Sequence, residues 1–318
     1  MVIEITRGSL KRAAALAIAA ASACQSAPST IVPTPAAALP LGADIDTLAS
    51  RAFGGRGAGT AGDDSTADFL ARRYAQLGLR PAFTISCDSP LNCRPSYLQR
   101  FETREGVYHN VGVIVDGLDP ASRAEYVVVG AHFDHLGRSP SYSMDRDAGF
   151  VIRPGADDNA SGTAAVLELA RRFAKHRTKR SILFLNFDAE ELGLLGSYAF
   201  LRAPPVPKSA MVFMLNLDMV GRLRGDQLFI ETLRTTSGDR TALENAAKAT
   251  GLRPHFVPDD ARSDHENFGR EGIAAVQVTT GMHGDYHTRA DIAARINAVG
   301  LARVVDFAEQ VARSIADR

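Results

Sequence analysis

The apolar positions of the chain fall into two patterns. Runs of five to seven residues, rich in β-branched and aromatic side chains, occur at Val111–Val115, Tyr126–Gly130, Ser181–Phe187, Met211–Leu217 and Ala274–Thr279. Runs this short and this uniformly apolar predict strands buried on both faces. Between them, apolar residues recur at three- and four-residue intervals, the spacing of one helix face. Helices are expected over Ser65–Leu77, with Phe69, Leu70, Tyr74 and Leu77 on one face and Gly78 as the stop, and over Ser161–His176, with Val166, Leu169, Ala170 and Phe173 inward. Two more are expected over Thr241–Ala249 and Asn297–Ile315. The polar stretch from Gly137 to Pro154 reads as a long loop, and no solenoid-type repeat is present. Strands alternating with helices predict a single α/β domain with a central, mostly parallel, mixed β-sheet flanked by helices.

Composition narrows the function classes. The 318 residues are 45% apolar, enough for one large core. Basic and acidic residues number 36 each, and a net charge of zero excludes an electrostatic nucleic-acid binder. Residues 1–24 read as an export signal: Arg7, Lys11 and Arg12 precede the apolar run Ala13–Ala23, and Ala21-Ser22-Ala23 is a small-residue cleavage pattern. Cys24 follows directly and is a candidate lipidation site, the alternative being ordinary cleavage beside an incidental cysteine. Such a lipid is the only membrane attachment expected, and the protein is expected in the periplasm or cell envelope. Residues 25–40, rich in Ala, Pro, Ser and Thr, read as a flexible linker, and residues 41–318 as the folded domain. With Cys24 removed or lipidated, Cys87 and Cys93 remain as a pair, a natural disulfide in an oxidising compartment. A metal site there fits poorly, because no other His or Cys lies beside them. Nothing in the pattern specifies an oligomer.

In a parallel sheet the chemistry sits just beyond the carboxyl ends of the strands. Tyr126–Gly130 is followed by His132, Asp134 and His135, and Ser181–Phe187 by Asp188, Glu190 and Glu191. Met211–Leu217 leads to Asp218, and Ala274–Thr279 leads to His283, Asp285, Tyr286 and His287. The turn before Ser161 carries Asp157 and Asp158. Imidazoles and carboxylates in this number suit two divalent cations, with zinc favoured where thiolates are absent. One shared carboxylate can hold both ions at about 3.5–4 Å. A further carboxylate, free of metal, is then needed to take a proton from water, and the neighbours Glu190 and Glu191 can divide these tasks.

The motifs also resemble a known family. Gly130-Ala131-His132-Phe133-Asp134-His135-Leu136-Gly137 resembles the first metal motif of the M28 metallopeptidases, and Gly155-Ala156-Asp157-Asp158-Asn159-Ala160-Ser161-Gly162 the second. Asp188-Ala189-Glu190-Glu191-Leu192-Gly193 resembles the third, while Asn216-Leu217-Asp218-Met219-Val220-Gly221 and Tyr286-His287-Thr288-Arg289-Ala290-Asp291 complete the set in the family's order. The likeness runs from about Asn110 to the C-terminus; residues 41–109 share only a general likeness. It implies a zinc-exopeptidase-like fold, two Zn²⁺ per chain and peptide substrates. It makes Asp158 the bridging carboxylate, Glu191 and His287 the ligands completing one metal, and His132 and Asp218 those completing the other. Glu190 becomes the general base, Tyr286 a donor to the developing oxyanion, and Asp134 the residue that orients His132. The Asp158–Asn159 peptide is often cis in this family.

Other polar residues have plainer expectations. Asp157 reads as a turn or capping residue, and Asp188 as one that orients its loop. His135, His283 and Asp285 line the pocket or are solvated. In Arg262-Ser263-Asp264-His265, Ser263 or Asp264 is expected to cap a helix, and Arg262 is a candidate contact for a substrate carboxylate. The leading function is an aminopeptidase. A carboxypeptidase or dipeptidase on the same scaffold, a one-zinc glutaminyl cyclase and a non-catalytic binding domain are the alternatives; the five-ligand set argues against the cyclase, and its presence together with Glu190 against the binding domain.

Overall fold

The computed structural model describes residues 35–89, 92–145, 149–258 and 263–318, with the backbone alone for 35–40, 86–89 and 92–93. The export signal with Cys24, residues 25–34 of the linker, and Arg262 lie outside the described residues.

In chain order the elements are helix α1 (Pro35–Leu48), helix α2 (Ala61–Gln76), strands β1 (Arg80–Pro81), β2 (Phe83–Ser89), β3 (Asn92–Ser96), β4 (Leu98–Glu102), β5 (Val107–Val115) and β6 (Tyr126–His132), and helix α3 (Gly162–Lys175). Then come β7 (Ser181–Phe187), α4 (Leu195–Arg202), β8 (Met211–Leu217), β9 (Gln227–Leu233), α5 (Ser237–Thr250), β10 (Arg253–Val257), α6 (His265–Arg270), β11 (Ala275–Thr279) and α7 (Ala298–Ala316). Nine strands form one sheet in the order β1-β5-β7-β6-β8-β11-β9-β10, with β4 also on β5. Its centre, β7-β6-β8-β11, is parallel. The flanks turn antiparallel where β5 meets β7 and where β9 meets β11. The α/β mixed sheet is as expected, and the parallel character is confined to its middle and to the outer pair β9–β10.

Register sets where the chemistry emerges. His132 pairs with Phe187, and Gly130 pairs with Asn216. The ends of β6, β7 and β8 are therefore level, and the residues that follow each strand leave at one edge. Gly130 has a packing reason to be glycine: a Cβ there would sit 2.6 Å from the Phe187 ring. All seven residues of β7 are buried. One sheet face, with Val127, Val129, Phe184 and Leu215, packs against α1, α2, α3, α5 and α7. The other, with Val128, Leu183, Leu185 and Met214, meets Phe200 and Leu201 of α4 and Phe268 of α6.

Three expectations need correction. The linker does not reach residue 40, because α1 begins at Pro35. Proline suits the first helical turn, and Ala36, Ala37 and Ala38 are strong helix formers. Helix α2 begins at Ala61 rather than Ser65, because Thr60 caps it by accepting from the Asp63 amide. Strands β9 and β10 had no counterpart in the apolar pattern: β9 mixes Gln227, Glu231 and Thr232 with apolar residues, and β10 carries Pro254, which an edge strand tolerates. Residues 86–89 and 92–93 belong to the antiparallel pair β2–β3, whose register sets Cys87 directly across from Cys93. Their side chains lie outside the described residues. Among the described residues, no helix is long and apolar enough to cross a membrane.

The N-terminal segment joins the rest through Arg56, whose side chain is wholly buried. Its guanidinium donates to the carbonyls of Phe133 (2.7 Å), Leu48 (2.9 Å), Pro154 (2.7 Å) and Gly155 (2.7 Å). One side chain thus clamps the end of α1, the turn after β6 and the turn before α3. Replacing Arg56 with Met removes the donor to the carbonyls of Phe133, Leu48 and Pro154 and leaves Gly155 O only the Ala160 amide, at about 1–3 kcal/mol per buried group left unpaired. The expected loss is about 3 kcal/mol or more, read as a lower urea midpoint of the metal-free protein. Arg56→Lys recovers less than half, because one ammonium cannot span the four acceptors. A midpoint unchanged in Arg56→Met would refute this role.

Candidate metal centre

The five residues named as metal ligands come together at the shared strand edge. His132 ends β6, Glu191 follows β7, Asp218 follows β8, His287 follows β11, and Asp158 lies in the turn before α3. The two oxygens of Asp158 look in different directions. Oδ1 is 3.4 Å from His132 Nε2, which is also 3.4 Å from Asp218 Oδ1. Oδ2 is 3.1 Å from His287 Nε2, which lies 3.2 Å from Glu191 Oε2. Two clusters result, His132/Glu190/Asp218 and His135/Asp158/Glu191/His287, each with donor atoms within 4.8 Å of one another. Asp158 stands between them.

The donor set fits zinc. Tetrahedral coordination at about 2.0–2.1 Å places neighbouring ligand atoms about 3.3 Å apart. The four separations just given, 3.1–3.4 Å, match that edge. Asp158 Oδ2 and His287 Nε2 are buried with no hydrogen-bond partner among the described residues, although almost all buried polar atoms have one.

Local structure explains how these side chains are held. The Asp158–Asn159 peptide is cis, as the resemblance implied. Asp291 Oδ2 accepts from the amides of Asp157 (2.9 Å) and Asp158 (3.1 Å). Asn159 ties this turn to β8 by donating to Leu217 O at 3.0 Å. His287 has φ of +55° and is braced from the loop after Gly137: its Nδ1 is 2.9 Å from Tyr142 O, and its carbonyl accepts from Met144 N at 3.0 Å. The buried Arg153 holds that loop through the carbonyls of Ser139 and Val151.

Asp134 pairs with His132 and has a further task. Its carboxylate lies 3.7 Å from His132 Nδ1 and its backbone oxygen 3.2 Å from the same nitrogen. The carboxylate also accepts from the amides of Glu190 (2.9 Å) and Glu191 (3.2 Å), shaping the turn that presents both glutamates. Asp157 is an interior hub: its carboxylate accepts from Ser161 Oγ and Gly221 N and faces His283 Nε2 at 3.1 Å. Neither Ser263 nor Asp264 caps α6 through its side chain. Ser263 Oγ accepts from Asn216 instead, and Asp264 is fully buried, its carboxyl pushed up to about 7 by burial. Asp285 is paired with Arg222 and Arg295, away from the pocket.

Electrostatics follow from this crowding. Burial alone would raise Asp158, yet the imidazoles of His135, His132 and His287 hold it well below the usual carboxylate range. Burial, with Glu191 and Asp264 nearby, pushes Glu190 well above that range, against the pull of His132. Burial and the surrounding carboxylates also raise Tyr286, so its hydroxyl remains a proton donor. The Tyr286 ring stacks on His287 with centroids 3.7 Å apart. A pocket of about 660 Å³ opens over both clusters, walled by Met219, Phe229 and Met282.

Residues 110–312 match the sequence profile of Peptidase family M28. The chain belongs to this family. The M28 match begins where the motif likeness begins, at Asn110. Over 242 residues the chain is 28% identical to the alkaline phosphatase isozyme conversion protein of Escherichia coli, covering 71% of this chain and 68% of that one. It is 31% identical over 195 residues to aminopeptidase YwaD of Bacillus subtilis, covering 58% of this chain but 39% of that longer protein. Its fold superposes on BSAP, a zinc aminopeptidase from Bacillus subtilis, with a TM-score of 0.69 and 19% identity over 88% of this chain and 95% of that one. An M28 metallopeptidase with a mixed nine-stranded sheet is therefore established for this chain.

Behind the M28 motifs lies a second carboxyl pair. Asp63 of α2 and Asp188 face each other; Asp63 Oδ2 accepts from Gly59 N, Asp188 Oδ2 accepts from His109 N, and both Oδ1 atoms are buried with no N–H or O–H donor among the described residues. A single proton held between them would satisfy both. Burial, then the charges of Asp188 and Asp134, push Asp63 up to about 10. That is above the roughly 3.9 of an unfolded Asp, so the shared proton stabilises the fold in acid. Its contribution is lost as pH rises from about 4 through about 10. Asp63→Asn supplies an amide donor that does not titrate. Its stability relative to the wild type should therefore grow from pH 5 to pH 9, by at most about 1.4 kcal/mol per unit. Urea midpoints of both metal-free proteins test this, and a pH-independent difference would exclude a shared proton.

Proposed function

We propose that the chain is a two-zinc aminopeptidase that removes N-terminal residues from peptides. The observation that carries this reading is the divergence of the two Asp158 oxygens toward separate ligand clusters at the floor of one pocket. Asp158, His132 and Asp218 would hold one ion, and Asp158, Glu191 and His287 the other. Held there, zinc would supply a Lewis acid for a peptide carbonyl and would lower the pKa of the attacking water. Glu190 accepts that water's proton, and its raised pKa suits it to pass the proton on to the departing amine. The Tyr286 hydroxyl donates to the carbonyl oxygen as negative charge gathers there.

Preference for a free amine over a carboxylate is supported by charge. With Asp158, Glu191 and Asp218 assigned to the metals, the lining still offers Glu190 and Glu231 against one guanidinium, Arg224. Carboxylates beyond the metal ligands favour an ammonium over a peptide C-terminus. Met219, Phe229 and Met282 offer an apolar wall for the side chain of the released residue. Export fits the basic and apolar residues of the signal, with Cys24 lipidated or removed, and a Cys87–Cys93 disulfide is supported by the facing register in β2–β3.

Glu190→Gln is expected to retain about two zinc ions per chain while losing about 10²–10⁴-fold in turnover of aminoacyl substrates. Glu191→Gln loses zinc instead, because a neutral amide is a poor ligand. Zinc content and hydrolysis measured on both variants, with acetylation of the substrate amine as the control, decide the assignment. Metal loss in Glu190→Gln alone swaps the two roles, and full cleavage of the acetylated peptide removes the aminopeptidase reading. In protein recovered from the cell envelope, non-reducing mass spectrometry should find the peptide holding Cys87 and Cys93 two hydrogens lighter than its reduced form. Two free thiols would exclude the disulfide.

A further inference from the structure

His135 is weakly marked in the sequence, yet it occupies the centre of the second ligand cluster. It is 1% exposed. Its backbone amide donates to Arg56 O at 2.9 Å, fixing the turn it stands on. Its ring lies against Gly155, where a Cβ would come within 2.5 Å of His135 Cδ2, and meets the His287 ring edge-on at 5.5 Å. Gly155 also has φ of +58°, so both conformation and space require glycine there. The imidazole is thus fixed with one nitrogen turned toward the carboxylates: Nδ1 is 2.8 Å from Glu191 Oε1 and 3.6 Å from Asp158 Oδ2. Nε2 is buried with no hydrogen-bond partner among the described residues.

We infer that His135 is a positioning residue that donates from Nδ1 to Glu191 Oε1 and so leaves Glu191 Oε2 as the single oxygen turned toward the metal. Only Nδ1 faces acceptors, which places an N–H there. The alternative, direct ligation of a metal by Nδ1, conflicts with distance. Two atoms on one tetrahedral zinc lie about 3.3 Å apart, whereas 2.8 Å is an ordinary hydrogen-bond length. Glu191 then divides its oxygens, Oε1 toward His135 at 2.8 Å and Oε2 toward His287 at 3.2 Å. A carboxylate held by one oxygen cannot swing to bidentate coordination, so a coordination position stays open for substrate.

This inference rests on the reading of Glu191 as a ligand, and the test separates the two. Three full-length variants are compared with the wild type: His135→Phe keeps a ring beside Gly155 but has no donor, His135→Asn places an amide N–H near the position of Nδ1, and Glu191→Gln removes the ligand charge. Zinc affinities of both sites are measured by chelator competition, and visible absorption is recorded after cobalt substitution. His135→Phe should weaken one of the two zinc ions by about 10–100-fold, the usual effect of losing a partner to a ligand. His135→Asn should recover to within a few-fold of the wild type and keep its cobalt spectrum. The inference is overturned if His135→Asn binds as weakly as His135→Phe, or if His135→Phe binds both ions as the wild type does. A cobalt spectrum altered in His135→Asn would make His135 a ligand and also overturn it. If Glu191→Gln leaves both affinities intact, the ligand reading itself falls; if it weakens one while His135→Phe does not, only the inference about His135 falls.

Discussion

Everything in this molecule is arranged around the cost of burying carboxylates next to one another. Asp134, Asp157, Asp158, Asp188 and Asp291 are each no more than 3% exposed, and Glu190 and Glu191 stand beside them. Isolated charges at such depth would protonate or fail to be buried. Here each carboxylate has a specific compensation. Asp134 and Asp291 accept paired backbone amides, Asp157 accepts an amide and a hydroxyl, and Asp158 is faced by imidazoles. The buried Arg56 guanidinium adds a positive charge among them, burial lowering its pKa to about 10 while Asp158, Asp291 and Asp134 oppose that fall.

The same compensation explains why regions remote in sequence are needed for one centre. Arg56 reaches across to Gly155 and Phe133, so the segment before the M28 match underpins the backbone beneath the ligands. The loop from Gly137 to Pro154 has neither helix nor strand among its described residues, yet it supplies the carbonyl of Tyr142 that fixes His287. Asp291 reaches the amides of Asp157 and Asp158 from the opposite end of the chain. These braces hold the ligand atoms at zinc-like separations.

What the sequence by itself determined was the parallel centre of the sheet and the identity of the residues at its edge. A strand buried on both faces has no polar position to spare, so β7 and β8 stood out with their observed bounds, Ser181–Phe187 and Met211–Leu217. Polar residues that follow such runs have few roles other than chemistry, which marked the wider set at the strand ends, and the resemblance to the M28 motifs then singled out His132, Asp158, Glu191, Asp218 and His287 within it. Only the tertiary structure decided the rest. Strands β9 and β10 are half-buried, and their mixed composition carries no clear period. Arg56 and Asp291 act through backbone groups, whose partners no side-chain pattern encodes. The carboxylate of Asp134 reaches two amides as well as the imidazole beside it, and His135, which local sequence leaves equally suited to solvent, is turned inward by the space that Gly155 opens. Local sequence sets which atoms can donate or accept, but hydrogen bonds are short and directional, so the choice among partners waits until folding has brought distant backbone into reach.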